Sequence, residues 1–329
     1  MSVGPTPPVG GLTQGPLVTG QAAQAAIAPT RLAQAPDPVS TLMQTAVTAA
    51  RAEAAIRQSG QGPLLANLQA ALASPNLPAH LKAAIRQVLS YGLNAGAGLD
   101  AAALRAAVAR SGLFLEARLA QAAGSPPGDM KAALLGLQQA LVAAGALPGI
   151  RPARASPPPP ARGAPVVGQA ARAASLRLDD PPEVQLALLR EETEQALARQ
   201  TLHQLASLPD EGPGRWIFEL PLLTPQGQAI AQFAIDRDDP PAGAPEAAPT
   251  WRARFALDID PLGPVTVHLR LQAGRSSAVL WVERPDSLAQ LQAQAQELSA
   301  ALSGDVVFQR GAPPAAQAPA PGALVDRSS

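Results

Sequence analysis

No cysteine occurs anywhere in the chain, which excludes disulfides, thiolate metal sites and thiol nucleophiles. Histidine is scarce. His80, His203 and His268 are the only three, and no two of them stand at metal-ligand spacing. Each reads as an ordinary surface or boundary side chain. Neither charge is in excess, with 25 basic and 25 acidic residues, so no global field draws the chain onto nucleic acid or an anionic membrane. Long apolar runs are missing too, and no transmembrane helix is expected. The opening MSVGPTPPVGGLTQGP has neither a basic n-region nor an apolar h-region, so no cleavable secretory signal is expected. No phosphate-binding glycine loop opens a helix, and Gly-x-Ser-x-Gly does not occur. The acidic run 236–239 lacks the alternating frame of a calcium loop. These absences argue against an enzyme, and no catalytic, cofactor or metal residues are expected.

Aromatics are few but informative. Of three Trp, five Phe and one Tyr, only Tyr91 and Phe114 precede residue 216. Large aromatic side chains dominate core burial, so the best-packed part is expected in the last third. Proline and glycine are plentiful, at 36 and 27, which points to linkers between folded parts. Residues 1–62 are expected to be mostly disordered, with a helix able to form over 39–58 on a thin stripe of Leu42, Met43, Val47 and Ile56. Over 63–147, leucines recur at helical spacing between Gly and Pro breaks, as in Leu64, Leu65, Leu68 and Leu72, then Leu81, Ile85, Val88 and Leu89. This predicts a small all-α domain. Residues 148–178 contain four consecutive prolines and read as a semi-rigid spacer. Residues 179–310 are expected to form an α+β domain of antiparallel hairpins packed with helices, and 311–329 a disordered tail.

The α+β domain opens with a helix for which Asp180, Pro181 and Glu183 suggest a capping box. Two hairpins follow, with bends at Thr224-Pro225-Gln226-Gly227 and Asp260-Pro261-Leu262-Gly263. Proline at the second turn position presets φ, and glycine at the fourth relieves crowding. In the second hairpin Trp251, Ala253, Phe255, Leu257 and Ile259 alternate with Arg252, Arg254, Asp258 and Asp260. Val265, Val267, Leu269 and Leu271 alternate with Thr266, His268 and Arg270. Period-two alternation marks an antiparallel sheet with one buried and one wet face. A further strand over 276–283, a helix from about Ser287 and a short strand at DVVF complete the expected set. Between the hairpins, 236–249 reads as an acidic, Pro-rich loop. Asp258 and Asp260 point to one face at i, i+2, but beside a turn solvent screens them, and Asp260 is explained by turn chemistry.

The order strand, Leu-Gly-Pro-Val-x-Val-x-Leu, strand, Pro, Leu-spaced helix resembles the C-terminal domain of flagellar hook-length control proteins. Here it is carried by Leu257, Leu262, Gly263, Pro264, Val265, Val267 and Leu269, with WVERP leading into the helix. SGLFLEARLA and GDMKAALLGL are also similar to members of that family. The chain has Ile259 where the family usually has proline, and Pro261 where it usually has an acidic residue. The resemblance implies export through the flagellar type III apparatus, from the cytoplasm, with hook length sensed in passage. It further implies that the C-terminal domain acts on the cytoplasmic domain of the export-gate switch protein, with hook or hook-cap proteins met during export. The expected partner-binding residues are Asp260, Pro261, Leu262, Gly263, Pro264 and Val265 of the turn, with Arg252, Arg254, His268 and Arg270 on the wet face. The alternative is a non-exported scaffold, or a divergent paralogue, using the same domain as a protein-binding module.

Overall fold

In the computed structural model the described residues are 38–96, 99–121, 128–148, 159, 165–208, 214–240 and 248–314. The expectations for 1–37, for the proline run of the spacer apart from Pro159, and for 315–329 lie outside them. Two units divide the chain, Met1–Met43 and Gln44–Ser329. Of the first, only 38–43 is described, as the start of helix α1 (Pro38–Arg57). The expected stripe on this helix is largely solvated: Leu42, Met43 and Ile56 are exposed, whereas Ala54 is buried.

The second unit is α+β. Helices α2 (Gln61–Ala71), α3 (Ala79–Leu89), α4 (Ala101–Ala109), α5 (Leu115–Gln121) and α6 (Met130–Ala143) fall where the leucine spacing predicts them. Asp100 caps α4 by accepting from the Ala103 N–H at 2.7 Å, and Asp129 caps α6 through Lys131 at 2.9 Å. Then come the long helix α7 (Pro182–Ala206) and, further on, α8 (Pro285–Ala293) and α9 (Ala295–Leu302). Helix α7 starts at Pro182 without a side-chain cap. The expected capping box does not form, because the helix begins one residue later than predicted and Pro181, whose side chain cannot accept a hydrogen bond, takes the cap position.

Among the described residues, seven strands form one sheet in chain order: β1 (Leu93–Asn94), β2 (Arg215–Thr224), β3 (Gly227–Asp238), β4 (Thr250–Ile259), β5 (Gly263–Gln272), β6 (Arg275–Val282) and β7 (Gly304–Arg310). Pairing is antiparallel from β2 to β6 and parallel at both ends. The register places Phe218, Phe233, Phe255, Val267, Leu280 and Phe308 along one continuous row. Directly opposed residues share a face, so this row builds one apolar side of the sheet. At one end it is covered by Ala107, Leu113 and Phe114, and at the other by Leu288, Leu291 and Leu302 of α8 and α9. On the opposite face α7 lies over β2. Leu186, Leu189 and Ala196 of α7, with Ile230 of β3, belong to the same buried cluster as the leucines of α2, α3 and α6. The helical region and the sheet therefore share a core.

The distal part of the expected spacer, 165–178, is bound to this core. Strands β3 and β4 pair only as far as Gln232–Ala256. Beyond that point Gln169 occupies the freed edge of β3 and exchanges both backbone hydrogen bonds with Ile230, at 2.9 and 2.8 Å. Val166 and Leu176 are buried. Asn67 accepts from the Ser175 and Leu176 N–H groups at 2.7 and 2.8 Å and donates to Glu192. A methyl group on Gly168 would stand 2.5 Å from the Leu257 carbonyl carbon, a backbone atom that cannot turn aside. Gly168→Ala is expected to lift this segment and cost about 1–3 kcal/mol, as overpacking does. An unchanged urea midpoint would contradict the close approach.

Candidate functional site

Two features stand out: the tip of the β4–β5 hairpin and a buried ionic cluster beneath α7. The tip bends at Pro261–Leu262, following a cis Asp260–Pro261 peptide bond. Gly263 has φ +74°, and a Cβ there would stand 2.4 Å from Arg284 Cδ. Glycine thus serves twice, allowing the left-handed backbone and letting the Arg284 stem lie across the turn. The Arg284 guanidinium reaches Asp260 at 3.6 Å, and the Gln226 amide donates to the same carboxylate at 3.3 Å. Between the two hairpin tips and Ala170–Ala171 lies a cleft of about 310 Å³, lined among others by Asp258, Asp260, Thr224 and Arg284. Burial pushes the Asp258 carboxyl above its ordinary range; Arg284 opposes the rise and Asp260 adds to it.

Of the expected contact residues, Asp260 and Pro261 are exposed at the tip. Leu262 packs against the α8–α9 cluster, Pro264 is half-buried, and Gly263 and Val265 are buried. Arg252 lies opposite Arg270, and Arg254 opposite His268, so these four share one face, as the alternation predicts. That face is less of a free cationic patch than the sequence suggests. Arg252 pairs with Asp238 at 2.8 Å and Arg254 with Asp236 at 3.1 Å, while Arg270 donates to Gln272 at 2.9 Å. The acids come from the stretch read as a loop, whose first residues, through Asp238, instead extend β3. His268 is half-buried against Trp281, with ring centroids 4.5 Å apart, and burial and Arg254 lower its pKa.

The ionic cluster was not expected. Arg199 and His203 of α7 and Glu219 of β2 are buried, their side chains 3%, 0% and 0% exposed. Glu219 Oε1 accepts from Arg199 Nη2 at 2.7 Å and from Gln232 and Gln169 at 3.2 and 3.3 Å. Burial pushes Glu219 upward, but the charges of Arg199 and His203 and the hydrogen bonds from Arg199 and Gln232 together outweigh it and hold the carboxyl below its usual range. His203 Nε2 stands 3.8 Å from Glu219 Oε1, and neither ring nitrogen has a hydrogen-bond partner among the described residues. The third histidine, His80, is exposed on α3. A surface or boundary position therefore fails for His203, because α7 is enclosed between the sheet and α2 and α6.

Among the described residues, no group of three or more His, Cys, Asp or Glu side chains could hold a metal ion. No helix among them is long and apolar enough to cross a membrane. Residues 242–307 match the family model described as flagellar hook-length control protein FliK. The match contains strands β4 to β6, helices α8 and α9 and the first residues of β7. It supports a role in flagellar hook-length control. No curated protein and no solved structure gives a significant match.

Proposed function

We propose that this chain controls flagellar hook length and switches export specificity. It passes unfolded through the flagellar type III apparatus, meeting hook or hook-cap proteins on the way. Its sheet domain then acts on the cytoplasmic domain of the export-gate switch protein, changing the exported class from hook to filament subunits. The observation that carries this reading is the family match over 242–307, which contains the whole β4–β5 hairpin. The proposed contact surface is the 260–265 turn with the face bearing Arg252, Arg254, His268 and Arg270. In its support, Asp260, Pro261, Arg252 and Arg270 are exposed along one hairpin.

Arg252 and Arg254 also hold β3 carboxylates, so reversing their charge would disturb the fold as well as a contact. Arg270, which is exposed and donates to Gln272 on its own strand, gives a cleaner probe. An Arg270→Glu variant is expected to keep the parent melting temperature while binding the purified gate domain about tenfold more weakly, or roughly 1.4 kcal/mol. Calorimetric titration reads the change. A folded variant that binds as the parent does would remove this surface from the proposal.

A further inference from the structure

The two edges of the sheet are finished differently. On the β2 side, β1 pairs with Leu222 and Leu223, the Ile217 N–H donates to Ser207 Oγ at 2.8 Å, and Pro221 has no N–H to offer. Such devices keep an edge from pairing with other chains. On the β7 side, among the described residues, such a device covers the first residue and no strand lies beyond the rest. The Gly311 N–H donates to the Val282 carbonyl at 2.9 Å, so by alternation residues 305, 307 and 309 turn their backbone groups toward β6. Residues 304, 306, 308 and 310 turn theirs outward. Gly304 O is taken by Ser299 Oγ at 2.6 Å, but among the described residues no strand lies beyond Val306, Phe308 and Arg310. The strand has no proline, and Val307 is 48% exposed on it.

We propose that β7 is a homodimerisation edge, on which two copies pair antiparallel about a twofold axis through Val307. The axis brings Val306 opposite the partner copy's Phe308, and their outward N–H and C=O groups exchange hydrogen bonds at both symmetry-related positions. Val307 meets its own copy at a non-hydrogen-bonded position, where side chains approach most closely. Asp305 falls opposite Gln309, and Gly304 opposite Arg310. No like charges oppose, and the branched and aromatic side chains face one another, the arrangement that stabilises cross-strand pairs. The strand is its own complement, which favours a second copy over an unrelated strand.

Light scattering on the full chain over a concentration series tests this. The mass is expected to rise toward twice the 33.5 kDa of one chain. Val307→Asp and Val307→Lys should each remain monomeric, because each opposes like charges across the axis, and an equimolar mixture of the two should regain the dimer mass. Val306→Pro removes an outward N–H without touching the β6–β7 ladder; it should be monomeric, with a melting temperature matching that of Val306→Ala, which loses the same packing against the α8–α9 cluster but keeps the N–H and the dimer. A parent that stays monomeric at its highest soluble concentration overturns the proposal, including one whose edge accepts another protein's strand. So does a Val307→Asp variant as dimeric as the parent, or a charge-complementary mixture that stays monomeric.

Discussion

Replacing Glu219 with alanine is expected to destabilise the protein by about 3–5 kcal/mol, the usual cost of removing one member of a buried ion pair. Arg199 donates to this carboxylate through Nε at 3.2 Å and Nη2 at 2.7 Å, and to Gln58 through Nη1 at 3.0 Å. Gln169 and Gln232 donate to the same oxygen. One carboxylate therefore ties α7, β2, β3, the 165–178 segment and the α1–α2 junction together. Its loss strands a guanidinium in a site with almost no access to water. Removing both charges, as Arg199→Met with Glu219→Leu, should recover most of the stability, because exchanging a buried pair for apolar groups is often neutral or better. Urea denaturation of the two variants separates the cases. Equal losses in both would mean that the charges themselves are not what matters.

His203 gives the second large effect, and it depends on pH. Burial holds its pKa down, from 6.5 to about 4; Glu219 opposes the shift and Arg199 adds to it. In the unfolded chain the ring takes up a proton as pH falls through 6.5, whereas in the folded protein it stays neutral down to about 4. Stability is thus lost across that interval as pH falls, by an amount on the order of 3 kcal/mol. His203→Phe removes the titration and also two buried ring nitrogens that have no partner among the described residues. The variant should be more stable than the parent at pH 7 by about 1–3 kcal/mol, the penalty of an unsatisfied buried polar group. It should also lose less stability between pH 7 and pH 4.5. Parallel acid limbs for parent and variant would show that the histidine does not titrate this way.

Local features of this fold are legible in the sequence. Both hairpin bends stand where Pro and Gly place them, and the β4–β5 faces follow the alternation, because each depends only on neighbours along the chain. Features that depend on distant neighbours are hidden. His203 reads as a surface or boundary side chain, and nothing in the local spacing singles out Arg199. They are buried because α7 is covered on several sides, so that Gln185, Thr193 and Gln200 are buried with them. Residues 165–178 carry only Val166 and Leu176 as buried anchors, too few for a period, and their hydrogen-bond partners lie on α2, α7, β2 and β3. Strand β1 is two residues long, below any pattern. The leucine spacing across 288–302 reads as one helix, but the chain breaks at Gln294 into α8 and α9. At the candidate surface, the position of each arginine follows from alternation. Its pairing with Asp236 or Asp238 does not, because those acids precede a Pro-rich stretch that reads as a loop.

The most direct measurement is hook length by electron microscopy in cells lacking the gene. Hooks of uncontrolled length that fail to carry filaments are the result expected of a hook-length regulator and export switch. Hooks of normal, uniform length carrying normal filaments would contradict it.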